Sequence, residues 1–243
     1  GRDAVVEPGS AVFGRVKANQ QWAGSPATKV GKANHPWPAE HPKRAPGWVP
    51  VYGVTSVFLA GMPIFALMAG IALIGWWIRD TDTLASAVLQ SLIMLPVATI
   101  LSLLVFAVVT LVAVRLLSIG LTPGYHPVRS RIGWQVWATE RLLDSARTFL
   151  FPLYASLLTP GWLRLLGAKI GKNVEASTVL LLPKFTTVAD GAFLADDTMV
   201  ASYGLGGGWM HIEQAKIGKR AFLGNSGMTA PGRRVPKNGL VAV

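Results

Sequence analysis

The sequence contains no cysteine and few charged residues for a chain of 243 residues. The lack of cysteine excludes disulfide frameworks, thiolate metal sites and cysteine nucleophiles. Charged side chains make up only 14% of the chain, whereas a soluble domain of this length typically carries about a quarter. This deficit points to a membrane. Acidic residues are the scarcer sign, 12 against 23 lysines and arginines, so the formal net charge is +11.

The excess of positive charge indicates an anionic partner. Nucleic acid is one candidate, but the high apolar content favours lipid headgroups as the surface that the charge meets. We therefore expect a lipid bilayer as a partner and no nucleic acid. The histidines His35, His41 and His126 each precede a proline and share no ligand spacing, so no metal site is predicted.

Two long uncharged blocks are present in the first half of the chain. The first includes "VYGVTSVFLAGMPIFALMAGIALIGWWI" at residues 51–78, and the second covers residues 84–114. Each exceeds the roughly 20 residues that a helix needs to cross a bilayer. A buried core helix is the alternative, but the mean globular helix has only about 11 to 12 residues. The sequence therefore predicts a transmembrane helix pair within residues 49–119.

The charges around this pair predict its orientation. The connecting loop "RDTDT" carries one arginine and two aspartates. The two flanks are basic, with Lys29, Lys32, Lys43 and Arg44 before the pair and Arg115, Arg129 and Arg131 after it. Positive flanks remain on the cytoplasmic side. We expect a multi-pass arrangement with the loop outside and both flanks inside.

Aliphatic residues recur at every sixth position near the end of the chain. The positions are Ile170, Ala176, Leu182, Val188, Leu194 and Val200, and the frame resumes as Ile217, Leu223, Thr229, Val235 and Val241. Residues that tolerate turns lie between them, as at Asn173, Asp190-Gly191, Asp196-Asp197, Pro231-Gly232 and Asn238. This hexad is typical of a parallel β-helix with a turn at each corner, and a meander of irregular strands is the alternative. With three sides per coil, Ile170 should stack under Val188, Ala176 under Leu194 and Leu182 under Val200.

The beginning of the chain repeats the pattern. "VEPGSAVFGRV" places Val6 and Val12 on the same period, with Pro8-Gly9 at a corner, and it aligns with "VPKNGLVAV" at residues 235–243 after a shift of 229 residues. We interpret the chain as a fragment of a larger tandem protein. The predicted domains are the end of a first β-helix (1–31), a proline-rich linker (32–48), the helix pair (49–119), interfacial or amphipathic helices (120–166) and a truncated second β-helix (167–243). The helices of residues 120–166 either lie at the membrane surface or cover the open end of the β-helix.

Two stretches, "LLTPGWLRLLGAKIG" and "IGKRAFLGNSGMTAPGRRVP", resemble the membrane-embedded C-terminal region of bacterial nonribosomal peptide synthetases of the ε-poly-lysine synthetase type. The resemblance implies a mixed membrane protein, with a two-helix transmembrane hairpin between left-handed parallel β-helix segments built from hexapeptide repeats. It also implies upstream adenylation and carrier domains as partners, and a bacterial plasma membrane with cytoplasmic β-helices. Homo-oligomerisation is left open.

A second resemblance concerns the donor. "WAGSPATKVG" at residues 22–31 looks like the closing motif of hexapeptide-repeat acyltransferases. This likeness implies that Trp22, Gly24 and Pro26 contact a donor linked to phosphopantetheine or CoA. No cofactor is expected to be bound directly by the chain.

The hexad is interrupted once, by "SYGLGGGWMHIEQAK" at residues 202–216, which we expect to be a loop. Hexapeptide acyltransferases, which this arrangement resembles, use one histidine as general base, and this implies that role for His211 with Glu213 orienting its ring. A surface histidine without a role is the alternative. Asp197, beside Asp196 at a corner, either has a conformational role or binds an incoming ammonium group. The glycines of "GLGGGW" lack the context of a phosphate-binding loop and predict flexibility.

Three functions are compatible with these features. The first is the membrane-bound terminal module of a nonribosomal peptide synthetase that transfers a carrier-bound aminoacyl or acyl group to an amine acceptor. The second is a non-catalytic membrane scaffold for an upstream synthetase. The third is a membrane-fused hexapeptide-repeat O- or N-acetyltransferase, which would depend on acetyl-CoA. Whether the chain is an enzyme is thus left open, with part of an acyl or aminoacyl transferase as the favoured interpretation.

The predicted orientation can be tested with a reporter enzyme that is active only outside the membrane. Inserted after Asp82, the reporter should be active, because the loop carries too little positive charge to be retained inside. Fused after Gly167, the same reporter should be silent. The reverse pattern would contradict both the orientation and a cytoplasmic location of the β-helix segments.

Overall fold

The computed structural model describes residues 1–7, 9–34 and 37–241. The predicted corner residue Pro8, the histidine His35 and residues 242–243 lie outside these ranges. The chain divides into two compact units, Gly1–His41 and Pro42–Val243. The helices all belong to the second unit. They are α1 (Trp48–Ile78), α2 (Leu84–Leu117), α3 (Arg131–Phe149), α4 (Phe151–Tyr154) and α5 (Thr159–Leu166), with a 3-10 turn at Pro183–Phe185.

The strands are short, and most of them lie after α5. Before it are β1 (Val5–Val6), β2 (Gln20–Ala23), β3 (Thr28–Lys32) and β4 (Gly124–Pro127). After it come β5 (Lys169–Ile170), β6 (Glu175–Ala176), β7 (Leu180–Leu181), β8 (Thr186–Val188), β9 (Phe193–Leu194), β10 (Met199–Val200), β11 (Tyr203–Gly206), β12 (Trp209–Ile212), β13 (Ala215–Ile217), β14 (Phe222–Leu223), β15 (Arg234–Val235) and β16 (Leu240–Val241).

Helices α1 and α2 are long and apolar enough to cross a membrane, with 31 and 34 residues, as the sequence predicted. The hydroxyl of Thr83 caps α2 by accepting a hydrogen bond from the backbone N–H of Ser86 at 3.2 Å. Large apolar side chains on the outward faces, such as Val57, Phe58 and Leu92, are exposed. A soluble protein would bury such surfaces, whereas lipid covers them without cost.

The two helices approach closely where their residues are small. The buried residues of α2 recur at every fourth position, namely Ala98, Ser102, Phe106, Thr110 and Val114. Gly70 of α1 lies against this stripe, because an added Cβ there would contact Ser102 Oγ and lie 2.6 Å from Ala98 O. Small residues that allow backbones to approach are the usual means of packing helices in lipid.

After α5 the chain winds into a stack of parallel strands. Three sheets form its sides, with the orders β15-β13-β8-β5, β16-β14-β9-β6 and β10-β7. Ile170 lies beside Val188 and Ala176 beside Leu194, so both predicted pairings are confirmed. On the third side the prediction was wrong by one residue, because Leu181 rather than Leu182 pairs with Val200. Leu182 instead joins a separate buried cluster with Phe185 and Ile212, since the 3-10 turn redirects the chain immediately after it.

Left-handed backbone conformations mark the corners. Positive φ angles occur at Asn173, Gly191, Asp197, Arg220, Ser226, Gly232 and Asn238. Most of these positions were predicted, since Asn, Asp and Gly adopt this conformation most readily. Arg220 and Ser226 were not, because neither residue type signals it. At Arg220 a hydrogen bond from its Nε to Asn238 Oδ1, at 2.9 Å, joins neighbouring corners.

The first unit repeats the local backbone of the final coil at the predicted shift of 229 residues. Strand β1 pairs in parallel with β2, which then forms an antiparallel hairpin with β3. The equivalent positions with positive φ are Asp3 and Gly232, at 53° and 72°, and Gly9 and Asn238, at 76° and 57°. Equivalent turn hydrogen bonds run from Ala4 N to Gly1 O and from Arg233 N to Ala230 O, and from Ser10 N to Glu7 O and from Gly239 N to Pro236 O. Residues 1–10 and 230–239 thus share one local conformation, although their side chains are mostly different.

The close approach at Gly70 predicts a specific sensitivity of the helix pair. Gly70→Ala should destabilise the protein by about 1–3 kcal/mol, because the new methyl group would force α1 and α2 apart. Gly75→Ala in the same helix is the matched control, since no atom lies near an added Cβ at that position. Thermal unfolding of both variants in detergent would check this, and equal midpoints would contradict it.

Candidate functional site

Helix α3 positions both groups of candidate residues. The hydroxyl of Ser130 caps the helix by accepting from Gly133 N at 3.2 Å. At the other end, the Phe149 ring contacts the Phe106 ring of α2, with 5.5 Å between centroids. Two charged residues of α3, Glu140 and Arg147, bond to the stacked strands and the hairpin that leaves them. Because α3 is tied to α2 and to the strands, it is a rigid mount for side chains on either side.

The interruption of the hexad is a β-hairpin. Strands β11 and β12 pair with each other, and β12 also pairs with β4, so three antiparallel strands form a small sheet. Gly207 and Gly208 form its turn with φ angles of 57° and 84°, a conformation that two consecutive glycines adopt without strain. We had predicted a flexible loop here. The pairing with β4 could not be predicted, because residues 124–127 lie far away in sequence.

His211 lies on β12 with one face of its ring covered. The ring stacks on Tyr125 of β4, with 4.5 Å between centroids and 16° between planes, and Gly204 is the residue opposite on β11. His211 Nε2 lies 3.8 Å from Glu213 Oε2, and the His211 side chain is 27% exposed. The structure therefore brings His211 and Glu213 together and leaves the ring accessible. Their catalytic roles stay predictions.

Tyr203 ties this hairpin to α3. Its hydroxyl donates a hydrogen bond of 2.6 Å to Glu140 Oε2. Burial, together with the neighbouring Glu140 carboxylate, raises the pKa of Tyr203. The tyrosine therefore stays protonated, and continues to donate, at any pH at which the protein would work.

Asp197 occupies a corner of the stack and is partly neutralised. Its φ is 52°, its carboxylate lies 3.3 Å from Arg147 Nη1, and its backbone N–H donates to Thr178 Oγ1. Arg147 also pairs with Asp144 at 2.8 Å. Within residues 1–7, 9–34 and 37–241, no bond or ring contact joins Asp197 to His211. The two predicted catalytic residues therefore do not form one constellation.

A cleft of about 760 Å³ lies next to Asp197. Three carboxylates line one wall, from Glu175, Asp196 and Asp197, and apolar side chains that include Phe151, Leu157 and Phe193 line the rest. In a chain of net charge +11, this local excess of negative charge suits a cationic ligand. Sequence reasoning missed Glu175, because it meets the aspartates only when β6 stacks on β9. The signal was available in the 18-residue register that pairs Glu175 with Phe193.

Tyr154 forms the floor of the same cleft. It is almost fully buried, and its hydroxyl accepts a hydrogen bond of 3.1 Å from Trp162 Nε1. Burial raises the pKa of Tyr154 to about 12. The cleft therefore combines a neutral phenol with ionisable carboxyl groups at its rim.

The predicted donor-binding residues lie in the first unit, at one end of the β2–β3 hairpin. Trp22 is on β2, and its Nε1 donates to Gln20 Oε1 at 3.0 Å. Gly24 follows with φ 100° and donates from its backbone N–H to Ser10 Oγ. Pro26 follows a cis peptide bond. Nothing tests their proposed contact with a donor. No group of three or more potential metal ligands occurs in the described parts of the chain.

Comparison with known proteins gives one informative match. The chain is 29% identical, over 243 residues, to a protein of Acinetobacter baumannii (strain AB307-0294) named delta-poly-L-ornithine synthetase. The match covers 94% of this chain but only 18% of that protein, so the chain spans less than a fifth of its relative. This similarity suggests a family of the poly-amino-acid synthetase kind, and with it amide-bond formation. No family model matches the chain, and no solved structure matches it.

The buried phenol predicts a loss of stability in alkali. As the pH rises from about 10 to about 12, the unfolded chain gives up the Tyr154 proton while the folded protein keeps it, so the free energy of unfolding falls. Below the ordinary tyrosine pKa of about 10, this contribution is fully present. Tyr154→Phe should unfold more easily at neutral pH, because it loses the bond with Trp162, but its midpoint should fall less steeply over this range. Thermal midpoints in detergent would measure the slope, and identical slopes would contradict the assignment.

Proposed function

We propose that this chain is a membrane-anchored part of a poly-amino-acid synthetase that takes part in forming amide bonds between carrier-bound aminoacyl groups and an amine acceptor. The observation that carries the proposal is the similarity to delta-poly-L-ornithine synthetase along 94% of the chain. The upstream adenylation and carrier domains of a nonribosomal peptide synthetase would load the donor. The donor would be a thioester of phosphopantetheine or, less directly, of CoA.

The proposal extends to the architecture. The stack of residues 169–241 would be a left-handed parallel β-helix of hexapeptide repeats, and residues 1–31 would be the end of an earlier one. The matching backbone of residues 1–10 and 230–239 supports this relation. Helices α1 and α2 would span a bacterial plasma membrane, with the stacked strands on the cytoplasmic side, where aminoacyl donors are made. The net charge of +11 would face anionic lipid, not nucleic acid.

The chemistry requires an amine free of its extra proton. The acceptor nitrogen attacks the thioester carbonyl carbon, the new C–N bond forms, and the C–S bond breaks as the thiol leaves with a proton. A base must take one proton from the attacking nitrogen. We assign this role to His211, whose ring is held flat by Tyr125 and lies 3.8 Å from the Glu213 carboxylate. That carboxylate would stabilise the imidazolium that forms, in the manner of other histidine–carboxylate pairs.

The acidic cleft would hold a cationic group of the substrate away from the reacting centre. Glu175 and Asp196 have exposed carboxylates on its wall, whereas Arg147 already compensates Asp197. An ammonium group on an acceptor or on the growing product would complete the charge balance there. Glu175 and Asp196 therefore replace Asp197 as the residues that we expect to contact it.

A scaffold role is the second candidate, and one observation favours it. A single buried cluster extends from Met62 and Phe106 of the helix pair, through Leu142 of α3, to Leu223 and Val235 of the stacked strands. Such continuous packing would transmit position and suits an anchor. A scaffold would need neither His211 nor the carboxylates of the cleft.

The two candidates differ in their dependence on His211. In the full-length synthetase that contains this chain, His211→Gln should lower the rate of product formation by about 10²–10⁴-fold, because the base would be lost. His126→Gln is the matched control, since His126 lies in the same small sheet but bonds to Thr122 O. The control should keep the normal rate.

A normal rate in the His211 variant would remove the assigned base and leave the scaffold role. An equal loss in both histidine variants would attribute the effect to the sheet and not to the base.

A further inference from the structure

An apolar turn projects from the second unit between α3 and α5. Of its side chains, Phe149, Phe151, Leu157 and Leu158 are 46%, 56%, 91% and 66% exposed. No charged residue occurs between Arg147 and Arg164. Each square ångström of apolar surface left in water costs about 25 cal/mol, and contiguous exposed patches of this kind mark interaction sites. We call residues 149–158 the apolar turn.

The depth of this turn follows from its contact with α2. Phe149 packs against Phe106, which lies 22 residues after Leu84, or about 33 Å along the helix. The hydrocarbon core of a bilayer is about 30 Å thick. If α2 enters the bilayer at Leu84, it leaves the hydrocarbon close to Phe106. The apolar turn therefore begins at the level where the hydrocarbon ends.

The remaining length of α2 explains why the turn stays at that level. Helix α2 continues for eleven residues after Phe106, to Leu117, or about 16 Å beyond the hydrocarbon. Helix α3 packs beside this projecting part. Because Phe149 ends α3, the chain reverses at the lipid surface and returns through α5 to the stacked strands.

We propose that the apolar turn inserts into the headgroup layer of the bilayer that α1 and α2 span, with Leu157 and Leu158 as its tip. This inference rests on the proposed membrane position of the helix pair. The occupant of the apolar surface is lipid, because the surface is continuous with the exposed apolar faces of the two helices. One consequence concerns the cleft, since Phe151 and Leu157 line it together with Asp196 and Asp197. A cationic ligand held there lies at the membrane surface.

The absence of cysteine allows a direct test. Single variants Leu157→Cys, Leu240→Cys and Leu95→Cys of the whole chain would be labelled with a polarity-sensitive fluorophore and reconstituted in vesicles of phosphatidylethanolamine and phosphatidylglycerol. Leu240 is the matched control, because it is 71% exposed on the last strand of its sheet. Leu95, 51% exposed on α2, reports whether the helix pair is in lipid. Lipids with a spin label near the headgroup and aqueous iodide would serve as quenchers.

The label at position 157 should be quenched severalfold more by the spin-labelled lipid than the label at position 240, and should be shielded from iodide. Equal lipid quenching at positions 157 and 240, with quenching retained at position 95, would overturn the inference and leave the membrane-spanning pair intact. Shielding from iodide without lipid quenching would also overturn it, because protein, such as a second copy of the chain, would then cover the turn. Loss of lipid quenching at position 95 would overturn both the inference and the proposed membrane position.

Discussion

The second unit depends on the burial of α3 on two sides. One side of α3 packs against α2, as the Phe106 and Phe149 contact shows, and the other bonds to the stacked strands through Glu140 and Arg147. A helix of this length would be marginal in isolation, since tertiary packing supplies most helical stability. Without α3, an apolar helix pair and a stack of two-residue strands would share little surface. With it, both belong to one hydrophobic core.

Charged side chains reinforce these junctions by satisfying the ends of helices. Arg115, in the last turn of α2, donates to the carbonyl of Leu165 at the end of α5. Lys184, from the stacked strands, donates to the carbonyls of Ser118 and Leu121 just after α2. Helix C-termini leave carbonyl groups unpaired and carry partial negative charge, so cations stabilise them. Much of the basic excess that suggested a lipid partner therefore has a structural role as well.

The geometry separates the two kinds of chemistry that the sequence had placed together. His211 and Glu213 belong to the small antiparallel sheet, whereas Asp197 belongs to a corner that lines the acidic cleft. A base for amide formation and a site for a cationic group do not need to touch, because a long amino-acid side chain can extend between them. The cleft also lies beside the apolar turn, so a substrate held there would be handled next to the membrane and not in bulk solvent.

The sequence alone determined the features that depend on local period. An apolar run of more than 20 residues predicted α1 and α2, and the hexad predicted the pairing of Ile170 with Val188 and of Ala176 with Leu194, since a fixed period brings equivalent residues together. The corners at Asn173 and Asn238 followed from the conformational freedom of asparagine. Only the tertiary structure decided the contacts between residues distant in sequence, because no period relates them. These include the pairing of β12 with β4 that stacks His211 on Tyr125, the meeting of Glu175 with the aspartates, and the level at which Phe149 meets Phe106.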